Sequence, residues 1–200
     1  MYRSALAILL ILSAGLLAEG SSVQQLSVTE LVNGSDLIFK GHVVELRSLE
    51  DPAPPEIFTR VTFEVQETIK GQSPGSRIEL DFLGGTVGGL TLTISDMRLP
   101  KVGETGIYFV ESTKRRQVHP LYGWDQGHFL VTTNPSGIEI VTTFDRRPVW
   151  AILPDAPADD TIQMHPTVAR GLSIAGPSSS NTGLSVEEFK QRIKQLAGVK

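Results

Sequence analysis

The sequence predicts a mainly β protein: a small antiparallel OB-like barrel or a curved sheet, with a short N-terminal helix and a C-terminal helix. Apolar and polar residues alternate along several segments, and turn sequences rich in glycine and proline separate these segments. A helix-start signature stands near each end of the chain. Because successive side chains of a strand point to opposite faces, the alternation predicts strands with one buried face.

Two capping boxes predict the two helices. Ser27-Val-Thr-Glu30 and Ser185-Val-Glu-Glu188 each place a serine three residues before a glutamate, so that each side chain can bond the other residue's amide. Asn33-Gly34-Ser35 offers an end to the first helix, and the apolar periodicity carries the second to about Ala197. We expect both helices to lie on the surface of a sheet.

The strands follow from the alternation and from the turns between them. A slip of the apolar phase near Val43 predicts a β-bulge that bends the first strand. Pro52, Pro54 and Pro55 predict an extended loop after it, and Asn134-Pro-Ser-Gly137 predicts a turn between the last two strands. Strands are expected at 37–46, 60–66, 77–82, 90–94, 106–111, 128–132 and 138–144.

The chain divides into four parts. Residues 1–18 have the layout of a signal peptide: Arg3, an apolar run shorter than the roughly 20 residues of a spanning helix, and the small residue Ala18. We expect cleavage near Ala18 or Gly20, a secreted or periplasmic location and no stable membrane insertion afterwards; an uncleaved anchor is the alternative. Residues 19–150 are the expected β-barrel domain with its N-terminal helix, 151–183 a Pro/Ser/Gly-rich tether, and 184–200 the C-terminal helix.

The composition excludes several classes of function. The formal net charge of −4 at pH 7 argues against a nucleic-acid partner, since such proteins carry a basic surface. The chain contains no cysteine, which removes disulfides, thiolate metal sites and cysteine nucleophiles together.

The glycine-rich segment LGGTVGG, residues 83–89, is the first candidate contact region. A phosphate-binding loop would need Lys-Ser/Thr or a helix after its glycines, whereas an alternating strand follows here. We therefore interpret the glycines as a bend between strands. We also predict that this loop contacts a partner. The candidate partner-binding residues are Gly84, Gly85, Gly88 and Gly89.

The segment His119–Gly127 is the second candidate. Tyr122, Trp124 and Gln126 lie in a glycine-broken loop before a strand, where aromatic rings can anchor a partner. The alternative is that the rings plug one end of the barrel. The basic clusters at 114–116 and 146–147 are interpreted as solvated loops.

No catalytic residue, metal site or cofactor is predicted. The four histidines form no close ligand pair, and no Gly-x-Ser-x-Gly motif occurs. His42 and His128 could still meet on neighbouring strands, which leaves open an enzyme whose site is assembled only in the fold.

The segments Asp36–Val44, Phe63–Gly71, Gly84-Gly85 and Val102–Val110 resemble a group of uncharacterised exported bacterial proteins with an OB-like, netrin/tissue-inhibitor-of-metalloproteinase-like β-barrel. The likeness covers roughly residues 26–145. The resemblance implies the barrel architecture. It does not carry over the inhibitors' mechanism, which uses an N-terminal cysteine that this chain lacks.

These observations predict an exported, non-catalytic binding or protein-interaction module of the cell envelope or extracellular space. Its expected partner is an unknown exported protein, and one version of the hypothesis makes that partner a protease. The alternatives are a hydrolase or metal-dependent enzyme and a structural component of a surface assembly.

Overall fold

The computed structural model describes residues 23–52, 55–154, 166–174 and 183–199. The chain forms α1 (Val28–Gly34), β1 (Leu37–Pro52), β2 (Pro55–Lys70), β3 (Arg77–Leu83), β4 (Gly85–Val87), β5 (Leu90–Leu92), β6 (Thr105–Val110), a 3₁₀ turn (Trp124–Gly127), β7 (His128–Thr133), β8 (Glu139–Thr143), β9 (Val149–Ile152), β10 (Leu172–Ile174) and α2 (Val186–Leu196). The predicted signal peptide lies outside the described residues. In the described part, no helix combines the length and apolar character needed to cross a membrane.

One antiparallel sheet of six strands dominates the fold, in the order β3-β2-β1-β6-β7-β8. The sheet does not close, because β3 and β8 stand at opposite edges and do not pair with each other. The mainly β prediction is thus confirmed in its curved-sheet form, and the closed barrel is wrong. The predicted irregularity near Val43 is present as a register shift between Val43 and Glu45.

The helices and the sheet share one apolar core. Both helices begin at the predicted capping boxes, with Ser27 and Ser185 as N-caps. Leu31 of α1 and Phe189 of α2 are fully buried in the same cluster as Phe109 and Phe129 of the sheet. A second cluster on the other face contains Phe39, Phe63, Phe82 and Tyr108 among others. Both faces of the sheet are therefore covered.

Two segments differ from the sequence prediction. The strands β1 and β2 continue until Pro52 pairs with Pro55, so these two prolines lie in strands rather than in an extended loop; Pro54 lies outside the described residues. The expected tether 151–183 contains part of β9 and all of β10, which pair with each other. Its residues 155–165 and 175–182 lie outside the described part of the chain.

Candidate functional site: an open strand edge in a groove

The main chain of β3 points alternately to β2 and to the edge of the sheet. At one end of the β2–β3 ladder, Val65 N–H donates to Ser76 at 2.8 Å, and at the other Gly84 N–H donates to Ile57 at 2.8 Å. Since the direction of the main-chain N–H and C=O groups alternates along a strand, these groups face β2 in the even-numbered residues from 76 to 84. The N–H and C=O groups of Arg77, Glu79, Asp81 and Leu83 face outward.

The opposite edge of the sheet is covered by the chain itself. Val141 N–H of β8 donates to the carbonyl of Leu184 at 3.0 Å, and Thr143 N–H donates to the carbonyl of Arg147 at 2.9 Å. On β3, one outward N–H group is bonded in the same way: Leu83 N–H donates to the carbonyl of Val118 at 3.0 Å. Among the described residues, the outward N–H groups of Glu79 and Asp81 have no hydrogen-bond partner. An unpaired edge of this kind is a template for another strand.

A groove of about 710 Å³ runs beside this edge. Its walls are β3, the turn before β3 and the loop between β6 and the 3₁₀ turn. The volume lies within the range of about 300–1,000 Å³ that is usual for ligand sites. The lining residues are Gln72–Pro74, Arg77–Asp81, Ser112–Gln117 and Pro120.

Ion pairs hold the inner wall of the groove in place. Arg60 of β2 donates to both carboxylate oxygens of Asp81, at 2.7 and 3.0 Å. The hydrogen bond to Asp81 is the main reason why the pKa of Arg60 is raised. Arg116 bonds Asp51 at 3.0 Å, approaches Asp81 at 3.6 Å and lies 4.2 Å above the ring of Phe58. These contacts fix the loop relative to the β1–β2 hairpin.

The groove carries more positive than negative charge. Its lining contains four basic residues, Arg77, Lys114, Arg115 and Arg116, against the two acidic residues Glu79 and Asp81. Both carboxylates already lie beside Arg60 or Arg116. The side chains of Arg77 and Lys114 have no ion-pair partner within the described ranges. An anionic side chain would therefore be favoured in the groove.

Gln117 adds an unpaired amide to the groove wall. Its Nε2 and Oε1 atoms are both buried, and neither has a hydrogen-bond partner among the residues described. A buried polar group without a partner costs about 1–3 kcal/mol.

The glycine-rich segment is a bend that packs against β1 and β2. Gly85 has φ +141°, and a Cβ atom there would lie 2.7 Å from the hydroxyls of Ser48 and Thr59. Gly84 accepts a hydrogen bond from Thr59 Oγ1 at 2.8 Å. Gly88 and Gly89, with φ +57° and +84°, form the exposed turn between β4 and β5. Of the four predicted contact residues, these two are the exposed pair.

The Tyr122–Gln126 loop lies near α1, whereas the glycine segment packs against Ser48 and Thr59. Tyr122 packs so closely on α1 that a Cβ atom at Gly34 would lie 2.2 Å from its ring. Trp124 is stacked on His119, with ring centroids 5.1 Å apart. Gln126 is only 1% exposed, so it does not present its side chain to a partner. No atom of these three residues is among those nearest to the four glycines.

Trp124 also borders a smaller cleft of about 330 Å³. Arg98, on its wall, bonds Asp145 at 2.8 Å, bonds Asp125, and lies 4.4 Å above the ring of Phe144. These contacts satisfy the guanidinium within the fold. The cleft therefore offers fewer unpaired groups than the β3 groove.

The three described histidines contact other side chains of the fold. His42 Nδ1 lies 3.1 Å from the hydroxyl of Thr105, while His128 is 1% exposed between the rings of Tyr108 and Phe144. No cluster of three potential metal ligands occurs among the described residues, and His165 lies outside them. His42 and His128, which could have met on neighbouring strands, show no contact with each other.

Burial keeps two of the histidines neutral. It lowers the pKa of His119 to about 4, against smaller opposing effects of the Leu121 and Arg98 backbones. It lowers the pKa of His128 to about 3, and the positive charge of Arg98, with that of His119 once this ring is protonated, acts in the same direction. Both rings are therefore interior packing groups at neutral pH.

Sequence reasoning did not find the β3 groove. The alternation over Arg77–Phe82 predicts the strand but not its place at a sheet edge, which depends on pairing with distant residues. The Lys114–Arg116 cluster is exposed, as the solvated-loop interpretation predicts, and it also forms the outer wall of the groove. Its positive charge was the one available signal.

A scan against protein-family models and searches of curated proteins and of solved structures found no match to this chain. The resemblance to exported OB-like proteins therefore stays a prediction.

Proposed function

We propose that the protein is an exported, non-catalytic protein-interaction module that binds its partner in the β3 groove. The open main-chain edge at Glu79 and Asp81 carries this proposal, since their outward N–H groups have no hydrogen-bond partner among the described residues, whereas the other edge of the sheet is covered. The basic loop adds binding groups beside it. The signal-peptide pattern of residues 1–18 supports a partner in the secreted or periplasmic compartment.

Site-specific photo-crosslinking tests the proposal. A photoreactive amino acid replaces Thr113, which is exposed and lines the groove, and a second chain carries it at Val102, which is 61% exposed outside the groove. Each chain is produced in its own host and irradiated in the exported fraction. We expect a discrete adduct from position 113 and none from position 102. Adducts that are the same at both positions, or absent at position 113, would contradict the proposal.

A matched pair of charge reversals supplies the control. Lys114→Glu with Arg115→Glu changes the groove wall, and Arg146→Glu with Arg147→Glu makes the same change of charge in the exposed turn before β9. The adduct at Thr113 should disappear in the first variant and persist in the second. The opposite result would place the partner elsewhere on the surface.

A further inference from the structure

We infer that the groove takes its partner as an added β-strand: an extended peptide with alternating acidic and apolar side chains, paired to the main chain of Glu79 and Asp81. This rests on the proposed function and specifies its partner. In such strand addition, main-chain hydrogen bonds supply affinity, and the sites for alternate side chains supply specificity.

The geometry allows main-chain pairing along the middle of β3. The outward position at Leu83 is taken by Val118, and the turn at Gln72–Pro74 borders the groove before Arg77. Glu79 and Asp81 between these limits each offer one donor and one acceptor. A strand of four or five residues, about 13–17 Å long, is sufficient to use both positions.

The side chains of β3 show what the incoming strand would meet. Ile78 and Leu80 line the groove from the side of the second core cluster, with Pro120 nearby, and they offer apolar contact. The other face of β3 carries Arg77, Glu79 and Asp81; both carboxylates lie beside Arg60 or Arg116, and the charges of Arg77 and of Lys114 across the groove are unpaired within the described ranges. Successive side chains of a strand point to opposite faces. A peptide in which apolar and acidic residues alternate would therefore place its apolar side chains on one face and its acidic side chains on the other.

Binding of a synthetic peptide tests this inference. The probe is a fluorescent heptapeptide, Thr-Val-Glu-Val-Glu-Val-Thr, with blocked ends, and its counterpart replaces glutamate by lysine. Fluorescence anisotropy measures the affinity of each peptide for the full chain. We expect the glutamate peptide to bind at least tenfold more tightly than the lysine peptide. Equal affinity would overturn the acidic part of the inference.

A proline substitution separates strand pairing from simple charge attraction. Glu79→Pro removes an N–H group that β2 does not use, and proline is tolerated at edge strands in that orientation. Glu79→Gln removes the same carboxylate and retains the N–H. We expect at least tenfold weaker peptide binding by the proline variant and no loss by the glutamine variant. Equal binding by both folded variants would overturn strand addition.

N-methylated peptides test strand pairing without a change in the protein. One peptide carries N-methyl groups on its valines and another on its glutamates, so that only one set removes N–H groups that face β3. We expect one peptide to lose affinity at least tenfold and the other to retain it. Equal affinities would overturn strand addition even where Glu79→Pro fails to fold.

The outcomes distinguish this inference from the proposed function. Crosslinks at Thr113 with no peptide binding would retain the interaction module and overturn the added strand. Absence of both would overturn both. A concentration-dependent dimer of the wild-type chain that Glu79→Pro abolishes would assign the edge to a second copy and overturn the peptide partner.

Discussion

Gln126 fastens the N-terminal segment to the sheet through Leu26. Its side-chain oxygen accepts from the Leu26 N–H at 2.8 Å, and its amide nitrogen donates to the carbonyl of Gln24 at 2.9 Å. These residues are about 100 positions apart in the chain, and Gln126 is buried. The buried Gln126 side chain therefore joins the N-terminal segment to the loop before β7 by two hydrogen bonds.

Gln126→Ala should destabilise the protein by about 2–3 kcal/mol. The change removes two hydrogen bonds and leaves the Leu26 N–H without its partner. Urea denaturation measures the free energy of unfolding, and Gln191→Ala on the exposed face of α2 is the matched control, expected within about 0.5 kcal/mol of wild type. A loss in Gln126→Ala no larger than in the control would contradict the structural role.

Glu67→Gln should loosen α2. Lys194 donates to Glu67 at 3.0 Å, and the nearly buried Lys190 bonds Glu67 as well. Burial alone would raise the pKa of Glu67, but the two lysines outweigh it and the pKa is lowered. We expect a loss of about 1–3 kcal/mol in urea denaturation, because a buried ammonium loses one partner.

The control for Glu67→Gln is Glu139→Gln, which breaks the more exposed pair with Lys40 at 2.9 Å. That pair should contribute less than about 1 kcal/mol. Equal losses in the two variants would show that the Glu67 contacts do not hold α2.

Gly85→Ala should cost about 2 kcal/mol or more, since the position combines positive φ with hydroxyls 2.7 Å from the new Cβ atom. Gly88→Asn should be nearly neutral, because nothing lies within 4 Å and asparagine tolerates its φ of +57°. Thermal unfolding of the two variants compares the positions. Equal melting temperatures would show that the bend at Gly85 does not require glycine.

Acid should destabilise the fold before its carboxylates titrate. His119 and His128 have folded-state pKa values of about 4 and about 3, below the unfolded value of 6.5. The unfolded chain therefore binds more protons below pH 6.5, so stability is complete above that pH and falls as the pH is lowered. At pH 5 the two rings together should cost about 4 kcal/mol.

Urea denaturation at pH 7.5, 6.5, 5.5 and 5 measures this loss, and a stability that stays constant over that range would contradict neutral buried histidines. His119→Gln, which removes one of the two buried rings, should reduce the slope of the stability against pH.

The sequence predicts local structure well where the signal is local. The capping boxes at Ser27 and Ser185 and the phase slip near Val43 each depend on residues a few positions apart. The open sheet could not be predicted in this way. Closure into a barrel depends on whether β3 and β8 pair, and no short segment encodes that contact. The buried position of Gln126 depends on residues about 100 positions away and could not be read from its own loop.

The same distinction applies to the candidate site. The glycines and the two aromatic residues are candidates because of their residue types. In the structure the glycines form bends and the aromatic rings make packing contacts. The groove depends on which strand stands at the edge and on the return of the loop at Val118 along it. Only tertiary structure supplies both facts.

Amide hydrogen exchange at β3, measured by NMR with and without the glutamate heptapeptide, tests the central claim most directly. In the free chain the N–H groups of Glu79 and Asp81 should exchange fast, whereas that of Leu80, which faces β2, should be protected. At saturation with the peptide, Glu79 and Asp81 should become protected and Leu80 should change little. Protection of Glu79 and Asp81 already in the free chain, or fast exchange of both at saturation, would contradict an open edge that accepts a strand.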